Sequence, residues 1–409
     1  MAAKQVLKKA FMGPETLSMQ RFLQHPTEMV VQGRIPVKIG PFKMSQFEEG
    51  YRLYKNAFER GDGFTKYDIQ KDAFRQKFAS KKNQVLCMTH AKSDQILCVM
   101  PLVDSVLCRS TRSMLGTSYC VVHPDYTGKG IARKMYEISW RYSIGLGYLG
   151  FNSRVAVTTR NIVPVLAVGG QITGVIPSSA LLGGHGYVDD LLICKSYGLE
   201  KSHPEYYKES MEQRSHLPSL DIRSMPTNFD KFSEISHKDV KTSQGVVRLR
   251  PADTLEDAIE CEQIIRNHAS KGNGFGLDEF NENGTFNRKM LRHSTTVVAE
   301  DSAGNIIGVG LYGPSNLSRA SDPILAHCYI ATHGKHQGKY IGDHLLKYCV
   351  DSIKQEGYKH CVIDTFVNNY KMLCLMNKHG FSSRGAMPYC AYVKNHGPME
   401  SLIFHRTVN

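Results

Sequence analysis

Ile131, Met135, Ile138 and Tyr142 stand four, three and four residues apart, so they share one face of a helix. Before them runs the apolar stretch Tyr119-Cys120-Val121-Val122, which Pro124 must end because proline cannot donate to a sheet ladder. Short apolar runs and amphipathic stretches alternate in this way along the whole chain. A polar helix leads into a Gly-x-Gly-Phe turn. Two or three alternating strands follow, then a glycine loop with its helix, a further strand, a second helix and closing strands. Strands mixed with helices on both faces predict an α/β fold, an α+β sandwich with a mixed, mostly antiparallel sheet. From Asn161 to Gly184 no charged residue occurs, and length alone would admit a membrane span. Pro164, Pro177 and five glycines interrupt that stretch, which therefore reads as a buried helix followed by a core strand.

The pattern repeats at an offset of 210–211 residues. Gly61-Asp62-Gly63-Phe64 falls on Gly272-Asn273-Gly274-Phe275, and Ile96-Leu97-Cys98-Val99 on Ile306-Ile307-Gly308-Val309. Thr127-Gly128-Lys129-Gly130-Ile131-Ala132 falls on Gln337-Gly338-Lys339-Tyr340-Ile341-Gly342. Gly147-Tyr148 and Gly174-Val175-Ile176-Pro177 also find partners, Gly357-Tyr358 and Gly385-Ala386-Met387-Pro388. The expected organisation is an N-terminal extension at 1–33, one domain at 34–198, a linker at 199–244 with a short helix at 204–214, and a second copy at 245–409. The counterpart of the uncharged stretch carries Lys371, Lys378 and Arg384, which a span tolerates poorly, so no membrane is expected.

Composition narrows the class. Hydrophobic residues make up 41% and charged ones 22%, which excludes a largely disordered chain. The net charge of +13 favours polyanionic partners: nucleic acid, an acidic membrane surface or a phosphate-rich cofactor. No basic run interleaved with aromatics and no recognition-helix motif occurs, so nucleic acid is not expected. Eleven cysteines lie between Cys87 and Cys390 without a Cys-x-x-Cys pair. That excludes a zinc site or disulfide framework of the usual spacing and predicts a reducing compartment and no metal. Residues 1–14 are basic and acid-free, as in a mitochondrial presequence, but they contain no Arg and Glu15 follows. A frayed terminus and a cytoplasmic location are the expectation.

The chemistry lies in the glycine loop. A strand, a glycine turn and a helix N-terminus bring backbone N–H groups and the positive helix end into one concavity, a ready site for a phosphate or pyrophosphate. The loop is neither a Walker loop nor a Gly-x-Gly-x-x-Gly dinucleotide turn. From Val122 to Ala132 it resembles V-x-P-x-x-x-G-x-G-[IVL]-[GA], the pyrophosphate loop of the GCN5-related N-acetyltransferase (GNAT) superfamily. The resemblance implies that Val121, Val122, Thr127, Gly128, Lys129, Gly130, Ile131 and Ala132 hold the diphosphate of acetyl-CoA or another acyl-CoA. Thr127 stands where that family usually has Arg or Gln. In the second copy Gln337, Gly338, Lys339 and Gly342 keep the pattern, while Tyr340 replaces the second glycine. Asn369 to Phe381 resembles the family's N-x-x-A-x-x-L-Y-x-x-x-G-F segment, which flanks the pantetheine arm. Met376 holds the place of the Tyr that often protonates the departing thiolate, and a thioether cannot donate a proton. The first copy keeps Asn161 but runs Val168-Gly169-Gly170, so it lacks that Tyr too. The first copy is the expected CoA site, because a loop glycine is harder to replace than a side-chain donor.

The resemblance also places the reacting carbonyl between splayed strands four and five. Candidate acid–base groups are then Tyr119, Cys120 and His123 in the first copy, and His327, Tyr329, Tyr389 and Tyr392 in the second. Packed strand aromatics and a solvated loop histidine are the plain alternatives. Asp62 and Phe64 are candidates for an acceptor pocket, and the lone Trp140 reads as core. The implied function is acyl-CoA-dependent N-acetyl transfer to a small amine or amino-acid-like acceptor. The amine would attack directly, and an N–H near Val121 or Val122 would hold the oxyanion. The competing reading is a tandem pseudo-acetyltransferase that binds CoA or a protein partner without turnover, since both Tyr positions are lost. Acyl chain length, acceptor, active copy and oligomeric state stay open.

Overall fold

The computed structural model describes residues 26–408 except for 67, 80–83, 106, 110–113, 117–119, 146–147, 203, 206, 209–236, 244, 281–293 and 321. The chain forms two compact units. Unit 1 comprises Met1–Val106, Arg112–Ser210 and Arg319–Ser321; unit 2 comprises Leu107–Thr111, Met211–Ser318 and Asp322–Asn409.

Unit 1 opens with strands β1 (Thr27–Val31) and β2 (Ile35–Pro41), then helices α1 (Phe47–Glu59) and α2 (Lys71–Ala79). Strands β3 (Gln84–His90), β4 (Ile96–Asp104), β5 (Met114–Gly116) and β6 (Val121–Val122) lead into helix α3 (Ile131–Gly145). Strand β7 (Gly150–Ala156), helix α4 (Ile162–Ala167), strands β8 (Gln171–Leu182) and β9 (Gly186–Ser196) and the short α5 (Leu199–Ser202) complete it. The ladder is antiparallel from β1 through β4, and β5 runs parallel to β7. The periodic face of α3 behaves as its spacing predicts: Ile131, Met135, Ile138 and Tyr142 are buried with Leu97, Cys98, Met100 and Phe151 in one core cluster. A second cluster joins Leu53, Tyr54 and Ala57 of α1 to Phe64, Phe74 and Phe78, with ring centroids 5.1 Å apart for Tyr54 and Phe74. Each fully buried side chain of this kind contributes roughly 2 kcal/mol.

Unit 2 runs through a comparable succession: β10 (Lys238–Thr242), β11 (Gly245–Pro251), α6 (Leu255–Lys271), β12 (Thr295–Glu300), β13 (Ile306–Pro314) and β14 (Leu325–Thr332). Then follow α7 (Ile341–Gln355), β15 (His360–Phe366), α8 (Tyr370–Lys378), β16 (Ser382–Val393) and β17 (Gly397–Thr407). Helix α6 starts where Thr254 Oγ1 accepts the Asp257 N–H at 3.0 Å, and stops at Gly272, which takes φ +73°. Each unit is thus mixed α/β with a mostly antiparallel sheet.

The structure departs from the sequence reading in four places. Strands β1 and β10 fall in the stretches read as extension and linker. They pair with β2 and β11; β10 is charged at Lys238, Asp239 and Lys241, whereas β1 turns Met29 and Val31 toward the core of unit 1. Helix α2 follows the first Gly-x-Gly-Phe turn, where no helix was expected. Helix α4 is not buried: it has fewer than two turns, so Val165 alone reaches the core while Val163 stays 62% exposed. Trp140 is half-buried rather than core, with the Lys195 ammonium 3.4 Å from its ring centroid. In the expected helix at 204–214, residues 204, 205, 207 and 208 are helical and the others lie outside the described residues. Among the described residues no helix is long and apolar enough to cross a membrane.

Candidate active site

Strand β6 takes its register from β4, with Val121 opposite Val99 and Val122 opposite Cys98. The His123 N–H donates to Leu97 O at 2.8 Å. Antiparallel bonding alternates along a strand, so the Val122 N–H points away from β4 and the Val121 N–H toward it. Of the two oxyanion candidates only Val122 is therefore available. Strand β5 pairs in parallel with β7 from Met114↔Gly150 to Gly116↔Asn152, while β9 pairs antiparallel with β7 along its length, from Gly150↔Ser196 to Ala156↔Asp190. Beyond the β5 pairing, beside residues 153–156 of β7, lies a cavity of about 20 Å3. Cys120, Ser153, Arg154, Val155 and Ala156 line it from the strands, Tyr136 from α3, and Asp62, Gly63, Phe64, Thr159, Asn161 and Arg319 complete it.

The loop between β6 and α3 is held by His123. Its Nδ1 accepts the Asp125 N–H at 3.3 Å, and its Nε2 lies 3.1 Å from the Gln95 amide nitrogen. Both ring nitrogens are engaged and the residue is not part of the cavity lining, so the structure places this candidate base as a loop cap. Tyr119 lies outside the described residues. Gly128 and Gly130 take φ +76° and +74°, the left-handed region that side chains resist. Thr127, Gly128 and Lys129 form the turn that delivers the chain to Ile131 and Ala132 at the start of α3. A Cβ at Gly128 would meet nothing within 4 Å, so an anion can approach the backbone there. The first N–H groups of α3 have no partner within the helix. The loop fits a diphosphate on these observations.

One wall of the cavity is built from the first Gly-x-Gly-Phe turn. Asn161 Nδ2 donates to Asp62 O at 2.6 Å, and Arg319 Nη1 donates to Gly63 O at 2.8 Å. Arg319 also donates Nε to Asp190 Oδ2 at 2.9 Å, and Asp190 is fully buried on β9. Sequence reasoning missed Arg319 and its counterpart Arg109. The signal was present: Ser105-x-Leu107-x-Arg109 and Ser315-x-Leu317-x-Arg319 match at the same offset of 210.

Unit 2 keeps the loop. Gly338 takes φ +76° and Tyr340 φ +64°, so the turn survives with its ring 66% exposed. Gln337 Oε1 accepts from Lys371 Nζ at 3.0 Å, beside Lys339. At Gly342 a Cβ would make only ordinary contacts, the nearest 3.7 Å to Thr332. Asn369 caps α8 by accepting the Met372 N–H at 3.4 Å. The Arg109 side chain, the counterpart of Arg319, is 2% exposed, with Phe275, Tyr329 and Phe366 ring centroids 5.2, 5.3 and 4.6 Å from its guanidinium. Its Nε donates to Glu279 Oε2 at 3.0 Å and its Nη1 lies 3.6 Å from Asp364 Oδ2. Burial works against its charge, but Glu279 and Asp364 drive the guanidinium pKa up. Tyr329 donates to Asp364 Oδ1 at 3.0 Å, and His327 Nε2 lies 2.8 Å from the same oxygen. Burial pushes the Tyr329 phenol far above its ordinary range. Both residues are members of a buried network. Tyr392 packs against a core cluster, and Tyr389 sits at a bulge of β16 with φ +50°. Among the described residues no group of His, Cys, Asp and Glu is placed to hold a metal ion.

Residues 261–381, inside unit 2, match the model of the acetyltransferase (GNAT) family. Among curated proteins none matches the sequence. Solved structures similar to the chain include a GCN5-related N-acetyltransferase from Kribbella flavida, at 20% identity over 39% of this chain and 97% of that one, with a TM-score of 0.35. A GNAT-family acetyltransferase from Streptococcus pneumoniae matches at 18% identity over 40% and 99%, TM-score 0.33. A putative acetyltransferase from Salmonella typhimurium, solved with its cofactor acetyl-CoA, matches at 21% identity over 40% and 94%, TM-score 0.32.

Proposed function

We propose that the chain is an acyl-CoA-dependent N-acyltransferase, a tandem duplication of one acetyltransferase domain, in which unit 1 transfers the acyl group to a small amine or amino-acid-like acceptor. The observation that carries this reading is the cavity lined by Cys120, Tyr136 and residues 153–156 of β7 in unit 1, with a glycine loop that fits a diphosphate before the helix that carries Tyr136. The family match over 261–381 supports the reaction class. Gly130 in the unit 1 loop, against Tyr340 at that place in unit 2, supports the assignment of transfer to unit 1. The cysteine pattern favours a reducing compartment, the cytoplasm.

When bound, acyl-CoA supplies an activated thioester. The backbone from Thr127 to Ala132 and the first turn of α3 would hold its diphosphate. The Val122 N–H, turned away from β4, would stabilise negative charge on the carbonyl oxygen, an effect worth about 3 kcal/mol for one donor. Asn161 and Arg319 fix the turn that carries Phe64 to the acceptor side. Asp62, ion-paired to Arg60 at 2.6 Å, is the carboxylate in the lining and the candidate to receive the acceptor's proton at the mouth.

Two measurements test the reading. Titration calorimetry with CoA should show binding tighter than millimolar, and a thiol-release assay over polyamines, arylalkylamines and amino acids should find an acceptor. Absence of CoA binding sinks the proposal. Binding without thiol release across that panel favours the pseudo-acetyltransferase reading instead.

A further inference from the structure

Three residues, Gln32, Gly33 and Arg34, join β1 to β2, and the Arg34 N–H donates back to Val31 O at 3.2 Å. Gln32 takes φ +50° in this turn, a region that a residue with a Cβ resists. Strained backbone of this kind gathers where a side chain must be held in one place. The exposed Gln32 side chain reaches the glycine loop of unit 1. The place that a Cβ at Gly130 would take lies 2.5 Å from Gln32 Nε2, 2.9 Å from its Cδ and 3.1 Å from its Cγ. At Gly128 in the same loop that place is open. Gly130 is thus required twice over, by its φ of +74° and by the amide packed against it. Unit 2 departs at both places. Tyr340 brings a Cβ to the position of Gly130, and two residues rather than three separate β10 from β11.

On the transfer reading above, we propose that Gln32 is a cofactor-binding residue of unit 1, whose amide N–H donates to the diphosphate of acyl-CoA where the glycine loop holds it. The loop supplies backbone donors and the positive end of α3. A carboxamide carries two further N–H donors and no negative charge, so it suits an anion. With no side chain at Gly130 between them, the amide and the loop backbone offer their donors at one place. The β1–β2 turn, part of a stretch that reads in sequence as a mere extension, thereby becomes part of the cofactor site.

The test uses the full chain with Gln32→Ala and Gln32→Gly. Alanine removes the amide and keeps the strained backbone. Glycine removes the amide and relieves the strain, so its thermal midpoint should hold. Calorimetry should show CoA binding about 10-fold weaker in both variants, the loss expected for one hydrogen bond to a charged group. The KM for acetyl-CoA should rise by the same factor while kcat holds. Acetyl-pantetheine, which lacks the diphosphate, should serve wild type and variants equally. A folded Gln32→Gly that binds CoA as the wild type does overturns the proposal. Tighter binding overturns it too, since the amide would then obstruct the loop. Equal losses with acetyl-CoA and acetyl-pantetheine also overturn it, because the effect would arise from packing. Each of these outcomes leaves the transfer reading intact. A wild type that neither binds CoA nor releases thiol removes that reading and this assignment with it.

Discussion

Gly130 and Tyr340 occupy the same left-handed position in their loops, at φ +74° and +64°, and only one of them can do so without strain. A non-glycine residue there costs roughly 1 kcal/mol. The Tyr340 ring recovers part of this through Lys378, whose ammonium lies 5.7 Å from its centroid in an exposed setting. Tyr340→Gly is therefore expected to stabilise the protein by about 0.5–1 kcal/mol in denaturant unfolding, with no effect on CoA affinity. Gly130→Val should do the reverse. It strains the unit 1 loop, its Cβ would fall 2.5 Å from Gln32 Nε2, and calorimetry should find CoA binding lost. Cys120 offers a further check, because it is half-exposed in the cavity lining while Cys98 beside it is buried. Alkylation followed by mass spectrometry should label Cys374 first and Cys120 next, and CoA should slow labelling of Cys120 alone. At this scale the loop glycines were legible because glycine at positive φ leaves a sequence mark. Tyr136 was not, because a tyrosine on the apolar face of a helix looks the same whether it fills a core or lines a cavity.

Between elements, buried polar links decide how the strands and helices hold their positions. His268, in the last turn of α6, meets Thr332 O of β14 with Nε2 at 2.7 Å. Burial is the largest influence on this imidazole and holds its pKa below 6.5, against the pull of the carbonyl. The unfolded chain then takes up the proton first, so the contribution of this group is complete above pH 6.5 and is lost as the pH falls toward the depressed folded value. Thermal midpoints between pH 7.5 and 5 should decline in the wild type more than in His268→Gln, which keeps a donor without a titratable ring. Equal slopes would show that other groups govern that window. The Thr254 cap of the same helix gives an independent measure: Thr254→Ala should cost about 1 kcal/mol in denaturant unfolding. Elements with their own hydrophobic period, such as α3 and α7, were readable in the sequence. Strands β1 and β10 and helix α2 were not, since each is short: α2 shows its inward face only through Phe74 and Phe78 one turn apart, β1 through Met29 and Val31, and β10 is held by its pairing with β11.

For the whole molecule, the proposed duplication raises a question of number: two loops of one shape need not mean two working sites. The five motif matches at offsets of 210–211 made the repeat legible, but not that Arg109 of the first half belongs to unit 2 and Arg319 of the second half to unit 1. Removing Arg109 would leave Glu279 and Asp364 buried without their shared cation, and a broken buried pair costs roughly 3–5 kcal/mol. The two loops differ at Gly130 and Tyr340, so the unit 1 loop is the one expected to take the diphosphate. Titration with a non-hydrolysable acyl-CoA analogue should accordingly give one site per chain, abolished by Gly130→Val and unaffected by Tyr340→Gly. Two equivalent sites, or one site that survives Gly130→Val, would place acyl binding in unit 2 and reverse the assignment of the working copy.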